Sequence, residues 1–236
     1  MANILNSLSK VKLGDVVLSV RDVKKTFIEG GQPLHILRGG GFDLHRGEII
    51  ALVGQSGCGK STLLQCVGLL DKPSSGSILI DGVSVQKMDD NMRTSVRRNK
   101  IGFVYQRHNL LPDFNALENV MLPMLAAGID EEIARARAIK LLRAANVAHR
   151  ATHVPGEMSG GEQQRTAVAR ALANNPGVLL ADEPTGSLDP QHAIGVFELL
   201  LDLVRKNNMA MLFVTHDMNL ASRADRTITI KNGIIE

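Results

Sequence analysis

The chain has 236 residues, 44% of them hydrophobic, and a net charge of only +3. This composition suits one sizeable domain, and so weak a charge gives no argument for nucleic-acid binding, which usually shows as a clustered basic surface. Two cysteines, Cys58 and Cys66, exclude a disulfide framework. No run approaches the roughly 20 apolar residues that span a bilayer, and residues 1–15 lack the apolar stretch of a signal peptide. We therefore expect a cytoplasmic protein that acts at a membrane only through a partner.

Short β-type runs alternate with helical patterns along the chain. The run 49–53 (IIALV) is apolar throughout, which predicts a strand buried on both faces, and a glycine-rich turn and a helix-forming segment follow it. Strands that alternate with helices predict a mostly parallel sheet covered by helices. We expect the basic pairs Lys24–Lys25 and Arg97–Arg98 to lie on the solvated surface. Further strands are predicted at 16–20, 78–80, 101–105, 178–182 and 210–214.

Helical patterns replace the β-type runs between about residues 107 and 160. Within 130–150, apolar residues recur about once per helical turn, which predicts an amphipathic helix. We interpret residues 107–164 as a helical sub-domain inserted into a core formed by 16–106 and 165–236. The predicted buried face of the helix comprises Ile133, Ala136, Ile139, Leu142 and Ala145. Helices are also predicted at 162–174 and from Pro190, with Asp189 as its cap, and a terminal hairpin with its turn at Asn232–Gly233.

A phosphate-binding loop follows the strand 49–53. Residues 54–61 (GQSGCGKS) fit the pattern G-x-x-x-x-G-K-[ST], in which glycines let the backbone wrap around phosphates and successive N–H groups point at the anion. Lys60 is expected to reach the β- and γ-phosphates, and the Ser61 hydroxyl to ligate Mg²⁺. A chance glycine-rich turn is the alternative, and the flanking strand and helix disfavour it. The candidates for nucleotide binding are Gly54, Gln55, Ser56, Gly57, Cys58, Gly59, Lys60, Ser61 and Thr62.

Polar residues at the ends of three apolar strands are the candidate catalytic set. Asp182 can hold Mg²⁺ through water, and Glu183 beside it can polarise the attacking water as a general base. His216 follows a strand on the side where ligands bind in open α/β sheets, and it can hydrogen-bond the γ-phosphate or the water. Gln106 can reach the Mg²⁺ or the water. Each residue alone fits an ordinary polar strand end, but together with the phosphate loop they favour catalysis.

A second feature suited to anions lies at residues 159–162. Gly160 and Gly161 expose backbone N–H groups at a predicted helix N-terminus, and the Ser159 hydroxyl lies beside them. Ser159 and Glu162 also fit a capping box, and both interpretations can hold at once. Phe27, ahead of the phosphate loop, is a candidate to stack on adenine, with an ordinary core phenylalanine at a strand end as the alternative.

These motifs together resemble those of the nucleotide-binding domains of ABC transporters, over nearly the whole chain. The segment 54–62 is similar to the Walker A motif of that family and 179–183 to Walker B. The segment 159–163 is similar to the family signature, with Glu162 where many members have glutamine. The remaining matches are Ser187–Asp189 for the D-loop, Gln106 for the Q-loop, His216 for the switch histidine and Phe27 for the A-loop aromatic.

The resemblance implies a fold, an activity and an assembly. The fold is an α/β P-loop (RecA-like) core with a mostly parallel sheet, an N-terminal antiparallel β part and an inserted helical sub-domain. The activity is hydrolysis of ATP with Mg²⁺. The assembly is a head-to-tail dimer that holds ATP between the phosphate loop of one copy and the signature of the other. One departure from the family pattern, Gly39–Gly41 before Phe42, predicts an irregular strand.

A narrower resemblance concerns residues 105–123, which look like the same segment of the ATPases of lipoprotein-releasing complexes. The discriminating stretch is 110–114 (LLPDF), because related ATPases that serve macrolide export or cell division usually differ there. This implies a peripheral ATPase on the cytoplasmic side of the inner membrane, with two integral membrane subunits contacting Gln106–Phe114. Exposure of Leu110, Leu111 and Phe114 would favour such a contact. Packing of these side chains inside the helical sub-domain is the alternative.

Overall fold

The computed structural model describes residues 14–236. The expectation that residues 1–15 hold no signal peptide therefore lies almost wholly outside the described residues. Over the part of the chain that is described, no helix is long and apolar enough to cross a membrane.

Eleven strands within residues 14–236 form one sheet. They are β1 (Val16–Glu29), β2 (Gln32–Gly40), β3 (Phe42–His45), β4 (Ile49–Val53), β5 (Ser75–Ile80), β6 (Val83–Ser84), β7 (Ile101–Val104), β8 (Val178–Asp182), β9 (Ala210–Val214), β10 (Arg226–Lys231) and β11 (Ile234–Ile235). Their order along the sheet is β6–β5–β1–β2–β11–β10–β4–β9–β8–β7, and β3 pairs with β1 beside this path.

The sheet has a parallel part and an antiparallel part. The neighbours β10, β4, β9, β8 and β7 run parallel to one another, and β1 pairs antiparallel with β2, β3 and β5. This arrangement confirms the predicted α/β fold. Helices cover both faces of the parallel part, which is why β4, β8 and β9 are continuous apolar runs in the sequence. The predicted terminal hairpin is β10 with β11. The break between β2 and β3 at Gly41 is the predicted irregularity.

Helices connect these strands. They are α1 (Lys60–Val67), α2 (Asp90–Lys100), α3 (Ala116–Ala126), α4 (Glu131–Ala144), α5 (Gly160–Ala171), α6 (Pro190–Lys206) and α7 (Met218–Ala221), with short 3-10 turns at Val85–Lys87, Ala148–Arg150 and Pro155–Glu157. The helix predicted at 162–174 starts two residues earlier and ends three residues earlier as α5. The Asp189 side chain accepts a hydrogen bond from the His192 N–H, so the predicted cap of α6 is confirmed.

The predicted buried face of α4 is wrong in part. Ile133 is 63% exposed and Ala136 is also exposed, whereas Ala134, Ala138 and Leu142 are fully buried against α3 and α5. The small side chains of Ala134 and Ala138 allow the helices to approach closely. Close packing therefore favours burial of these two residues over burial of Ile133 and Ala136. Hydrophobic spacing alone does not separate two neighbouring stripes of one helix. The boundaries of the helical sub-domain at 107–164 stay a prediction.

The basic pair Lys24–Lys25 is also not all surface. Lys25 is buried, and its ammonium donates to the Asp71 carboxylate at 2.7 Å and to the Lys72 carbonyl at 2.8 Å. The two acceptors follow α1, so a distant part of the chain provides the partner that lets a lysine leave water.

Candidate nucleotide-binding site

The loop between β4 and α1 is shaped by glycines in conformations that other residues rarely adopt. Gly59 has φ +107°, and a Cβ there would lie 2.9 Å from a Leu37 methyl carbon and 3.1 Å from one of Ile36. This position therefore requires glycine. Gly59 is the N-cap of α1, and the helix has neither a side-chain cap nor an acidic residue in its first turn. The N-terminus of α1 is thus left open to an external anion.

Lys60 places a positive charge at this open helix end. Its side chain is buried, and the ammonium donates to the carbonyl oxygens of Gly54 and Gln55, both at 2.8 Å. The lysine is therefore held by the loop from which it projects. Helix dipole and ammonium act in the same direction, so both favour an anion here.

Two adjoining cavities meet at this loop. The smaller, about 330 Å³, joins the loop to Glu183 and His216. The larger, about 710 Å³, runs from the start of the loop to the turn before β11. Ile36 and the loop residues Ser56 and Gly57 line both. The remaining residues of the smaller cavity are Gly59, Lys60, Ser61 and Thr62. The larger cavity is completed by Leu34, His35, Arg38, Gly54, Gln55, Cys58 and residues 229–233.

The carboxylates at the end of β8 lie against the phosphate loop. The Asp182 side chain lies near Ser61. Burial raises the pKa of the Asp182 carboxyl; the nearby Glu183 charge acts in the same direction, while Ser61 and Lys60 act against it. Glu183 has φ +45°, an uncommon left-handed conformation for a non-glycine residue, and its N–H donates to the Val214 carbonyl at 3.1 Å. Such strained residues concentrate at functional sites.

Glu183 lies near the other two predicted catalytic residues. Its Oε1 lies 3.3 Å from Nδ1 of His216, which follows β9. A Cβ on Gly186 would lie 2.9 Å from Nε2 of Gln106 and 3.2 Å from Oε2 of Glu183. The amide of Gln106 and the carboxylate of Glu183 thus flank one glycine. The structure brings together all three side chains, from the ends of three neighbouring parallel strands.

Gln164 is a residue of the site that the sequence reasoning missed. It is fully buried on α5, and its Nε2 donates to the carbonyl oxygens of Tyr105 at 2.9 Å and Pro184 at 2.7 Å. These are the residues next to Gln106 and Glu183. Gln164 therefore links the backbone of both strand ends to α5. The only sequence signal was a polar residue in a predicted helix, directly after the signature-like segment 159–163.

The phosphate loop and the segment 159–162 lie apart. Ser159 caps α5, and the reciprocal hydrogen bonds with Glu162 confirm the predicted capping box. Among residues 14–236, no residue of 159–162 lines either cavity. Gly160 lies beside Leu188, the residue before Asp189, in the same chain. One copy of the chain therefore presents two separate anion-suited helix ends.

Phe27 lines neither cavity. It is exposed on β1, pairs with Leu34 of β2, and the Lys25 ammonium lies 4.7 Å from the centre of its ring. Leu34 lines the larger cavity, so Phe27 lies on the strand next to the wall of that cavity. The structure brings Phe27 near the site without bringing it into contact with the phosphate loop.

The segment after Gln106 divides its apolar residues between core and surface. Leu110 is only 7% exposed and so follows the alternative of packing inside, whereas Leu111 is 46% exposed and Phe114 is exposed as well. The fully buried Asn119 of α3 accepts from the Leu111 N–H at 2.8 Å and donates to the carbonyl oxygens of Leu111 and Phe114. Because one buried amide holds both ends of this turn, Leu110 is directed inward and its neighbours outward.

The site offers oxygen ligands for one small hard cation. Within residues 14–236 there is no group of three or more His, Cys, Asp and Glu side chains that could hold a metal ion. The Ser61 hydroxyl and the Asp182 carboxylate are adjacent. Mg²⁺ usually takes one or two protein oxygens and completes its shell with waters and phosphates, so this pair fits it.

A parallel sheet with a glycine loop, an open helix N-terminus and acidic residues at strand ends defines a P-loop nucleotide-binding protein. A profile of the ABC transporter family matches residues 37–186, and the chain belongs to that family. It is 50% identical over 224 residues to the lipoprotein-releasing system ATP-binding protein LolD of Novosphingobium aromaticivorans. The match covers 95% of this chain and 100% of that protein. Identity to LolD 1 of Rhodospirillum rubrum is also 50%, over 92% and 96% of the two chains.

Solved structures of ABC cassettes share this fold. The ATP-binding cassette MJ0796, in a dimeric post-hydrolysis state bound to ADP and Pi, superposes with a TM-score of 0.85. It is 40% identical to this chain and the match covers 93% of this chain and 96% of that one. CbiO1 from Clostridium perfringens, part of the complex cbiONQ, superposes with a TM-score of 0.84 at 28% identity, over 94% of this chain and 87% of its own.

Proposed function

We propose that this chain is the ATP-hydrolysing subunit of an inner-membrane complex that releases lipoproteins for transfer to the outer membrane. The observation that carries hydrolysis is the cavity shared by Lys60, Glu183 and His216. The lipoprotein-releasing role rests on 50% identity to LolD proteins over almost the full length of both chains.

In the proposed reaction, the phosphates of ATP bind at the open N-terminus of α1 and contact the Lys60 ammonium. A water attacks the γ-phosphorus, the bond from that phosphorus to the bridging oxygen breaks, and ADP and phosphate leave. Glu183 accepts the proton of the attacking water. His216, 3.3 Å from Glu183, orients that carboxylate and donates to the γ-phosphate. Because the protein forms no covalent bond with the substrate, positioning and electrostatics provide the acceleration.

Ser61, Asp182 and Gln106 are the residues that we propose to hold Mg²⁺. When bound, Mg²⁺ neutralises charge on the phosphate oxygens. Asp182 lies near Ser61 of the phosphate loop, and Gln106 lies beside Gly186, where the Glu183 carboxylate also lies.

The second anion-suited helix end leads us to propose a head-to-tail dimer. Ser159, Gly160, Gly161 and Glu162 of one copy would contact the ATP that the other copy holds. Two observations support this proposal. These residues lie away from both cavities of their own chain, and the similar cassette MJ0796 is dimeric with ADP and Pi. Phe27 is proposed to stack on adenine, from its place opposite Leu34.

We further propose that the surface around Gln106–Phe114 contacts two integral membrane subunits, on the cytoplasmic side of the inner membrane. The exposed side chains Leu111 and Phe114 support this placement, since apolar groups on a rigid turn favour a protein partner. Gln106 begins the same segment, so movement of the partner would reach the catalytic residues directly.

The test of hydrolysis is Glu183→Gln, with phosphate release and dimerisation measured in parallel. We expect turnover to fall by at least about 100-fold and an ATP-dependent dimer to accumulate, because the amide cannot accept the proton. Turnover at the wild-type rate would show that Glu183 is not the base.

The test of the lipoprotein-releasing role is reconstitution. The chain is purified from membranes with its partner subunits, inserted in vesicles that carry a lipoprotein, and given ATP. Release that depends on ATP and stops with Glu183→Gln supports the proposal, and release that proceeds without this chain refutes it.

A further inference from the structure

Glu162 is an unusual residue for the end of α5 that is proposed to meet ATP, because it adds a carboxylate where an anion must bind. Its Oε1 accepts from Nε of Arg150 at 2.7 Å and lies 3.1 Å from Nε2 of His149. Its Oε2 accepts from the N–H of Ser159 at 2.8 Å and from its hydroxyl at 3.0 Å. Both carboxylate oxygens are therefore fully engaged within the chain.

These contacts keep Glu162 charged and in place. The guanidinium of Arg150 and then the backbone N–H of Ser159 lower the pKa of Glu162 from 4.5 to about 2. The side chain is 18% exposed, so water screens its charge only in part. Without Arg150, a full negative charge would stand in the first turn of α5 and repel the γ-phosphate of an incoming ATP.

We propose that Arg150 is a positioning residue that neutralises Glu162 and thereby allows the Ser159–Glu162 end of α5 to accept the phosphates of ATP held by a second copy. This rests on the proposed dimer. Arg150 lies outside α5, in the 3-10 turn Ala148–Arg150, and the fold brings it to the helix end. The N-terminus of α5 carries the Glu162 carboxylate, and pairing with Arg150 offsets that charge so that a phosphate can bind there.

The experiment is a cycle of three variants, Arg150→Met, Glu162→Gln and the double variant. Glutamine at 162 keeps the capping-box hydrogen bond to Ser159 and removes the charge. We expect Arg150→Met to lower kcat/KM for ATP roughly tenfold, which corresponds to one pKa unit of charge interaction. The double variant is expected to recover to within about threefold of Glu162→Gln alone, since no charge then remains to be neutralised.

A purely structural role for Arg150 predicts the opposite outcome. If Arg150 only tied its turn to α5, removing the charge of Glu162 would not restore activity, and the double variant would stay as impaired as Arg150→Met. Ionic strength is a second readout. Raising salt from about 0.05 M to about 0.5 M shortens the screening distance and should shrink the Arg150→Met defect, whereas a packing defect is insensitive to it.

Matched variants complete the design. Arg135→Met breaks an exposed Arg–Glu pair of 3.2 Å on α4, and we expect it to leave turnover unchanged. If Arg150→Met fails to fold, as judged by its melting curve, Arg150→Lys keeps the charge and should retain most activity, while Arg150→Gln should not. The proposed function fails if Glu183→Gln turns over ATP normally. This inference fails if Glu183→Gln behaves as expected and the double variant is not rescued.

Discussion

Two helix N-termini of this protein are suited to anions, and they are built in opposite ways. α1 begins after Gly59 with no side-chain cap and no acidic residue in its first turn. α5 begins after Ser159 with a complete capping box that includes Glu162. The first is therefore open and positive through Lys60. At the second, the capping box satisfies the N–H groups of Ser159 and Glu162, and Arg150 pairs with the Glu162 carboxylate at 2.7 Å.

This difference fits the proposed division between ATP binding at α1 and contact with a second copy at α5. An open helix end binds phosphate tightly but lacks the stabilisation of a cap, so the surrounding loop and Lys60 compensate for it. A capped end is stable without ligand and contributes to a site only when a second molecule approaches. A chain with one end of each kind suits a proposed site that forms on dimerisation and opens again afterwards.

The largest expected effect is at the open end. Lys60→Met removes the charge that the phosphate loop's own carbonyls hold, and the oxygens of Gly54 and Gln55 each lose the ammonium donor. We expect ATP turnover to fall by roughly 100-fold or more, as when one electrostatic donor of a reactive centre is lost. The matched control is Lys140→Met on the exposed side of α4, measured by the same phosphate-release assay. Similar losses in both variants would contradict the role of Lys60.

Gly59→Ala tests whether the open end depends on backbone conformation. The new methyl group would meet Ile36 and Leu37 in a left-handed conformation, so we expect a loss of about 3 kcal/mol in the free energy of unfolding and a Tm lower by roughly 5–10 °C. Gly156→Ala is the control, because a Cβ there meets nothing within 4 Å. Thermal unfolding of the two variants should differ clearly, and equal Tm values would refute the argument.

Glu162→Gln probes the charge at the capped end. The bonds from Arg150 and Ser159 to a charged acceptor should contribute roughly 1.5–2 kcal/mol more than those to an amide at pH 7. Because the folded pKa of Glu162 is depressed to about 2 from 4.5, this stabilisation is present above pH 4.5 and is lost as the pH falls toward 2. Denaturant unfolding at several pH values measures it. A difference between the two proteins that grows on acidification would contradict the sign.

Ser159→Ala has the smallest expected effect on stability. The cap provides one hydrogen bond from its side chain to the first turn of α5, and its loss typically costs about 1 kcal/mol. A shift of the denaturant midpoint without a change of slope is the expected measurement. No shift at all would indicate that Glu162 alone satisfies the helix end.

Much of the fold and site followed from local sequence. The strands 49–53, 178–182 and 210–214 lie where predicted, because a strand buried on both faces must be apolar throughout. The phosphate loop is contiguous, so its glycines and Lys60 could be recognised together. Glu183 and His216 could be assigned to one edge of the sheet, since the carboxyl ends of parallel strands meet there.

The errors came from residues whose partners are distant in sequence. Lys25 is buried because Asp71 comes to it from 46 residues along the chain. On α4, Leu142 and Ala145 are buried as predicted, but Ile133 and Ala136 are exposed because the packing partner, not the spacing, selects the buried face. Gln164 was missed because its acceptors, the carbonyls of Tyr105 and Pro184, lie on two other strand ends.

The chemistry of each helix end is encoded locally, since a cap, a glycine loop and a lysine each lie within a few residues. The contact of Arg150 with Glu162, and the absence of residues 159–162 from the described lining of the phosphate-loop cavities, depend on how the chain folds. The physical reason is that hydrogen bonds within a turn depend on neighbours in the chain. Pairing of charges and the enclosure of a cavity depend on which elements the folded sheet brings together.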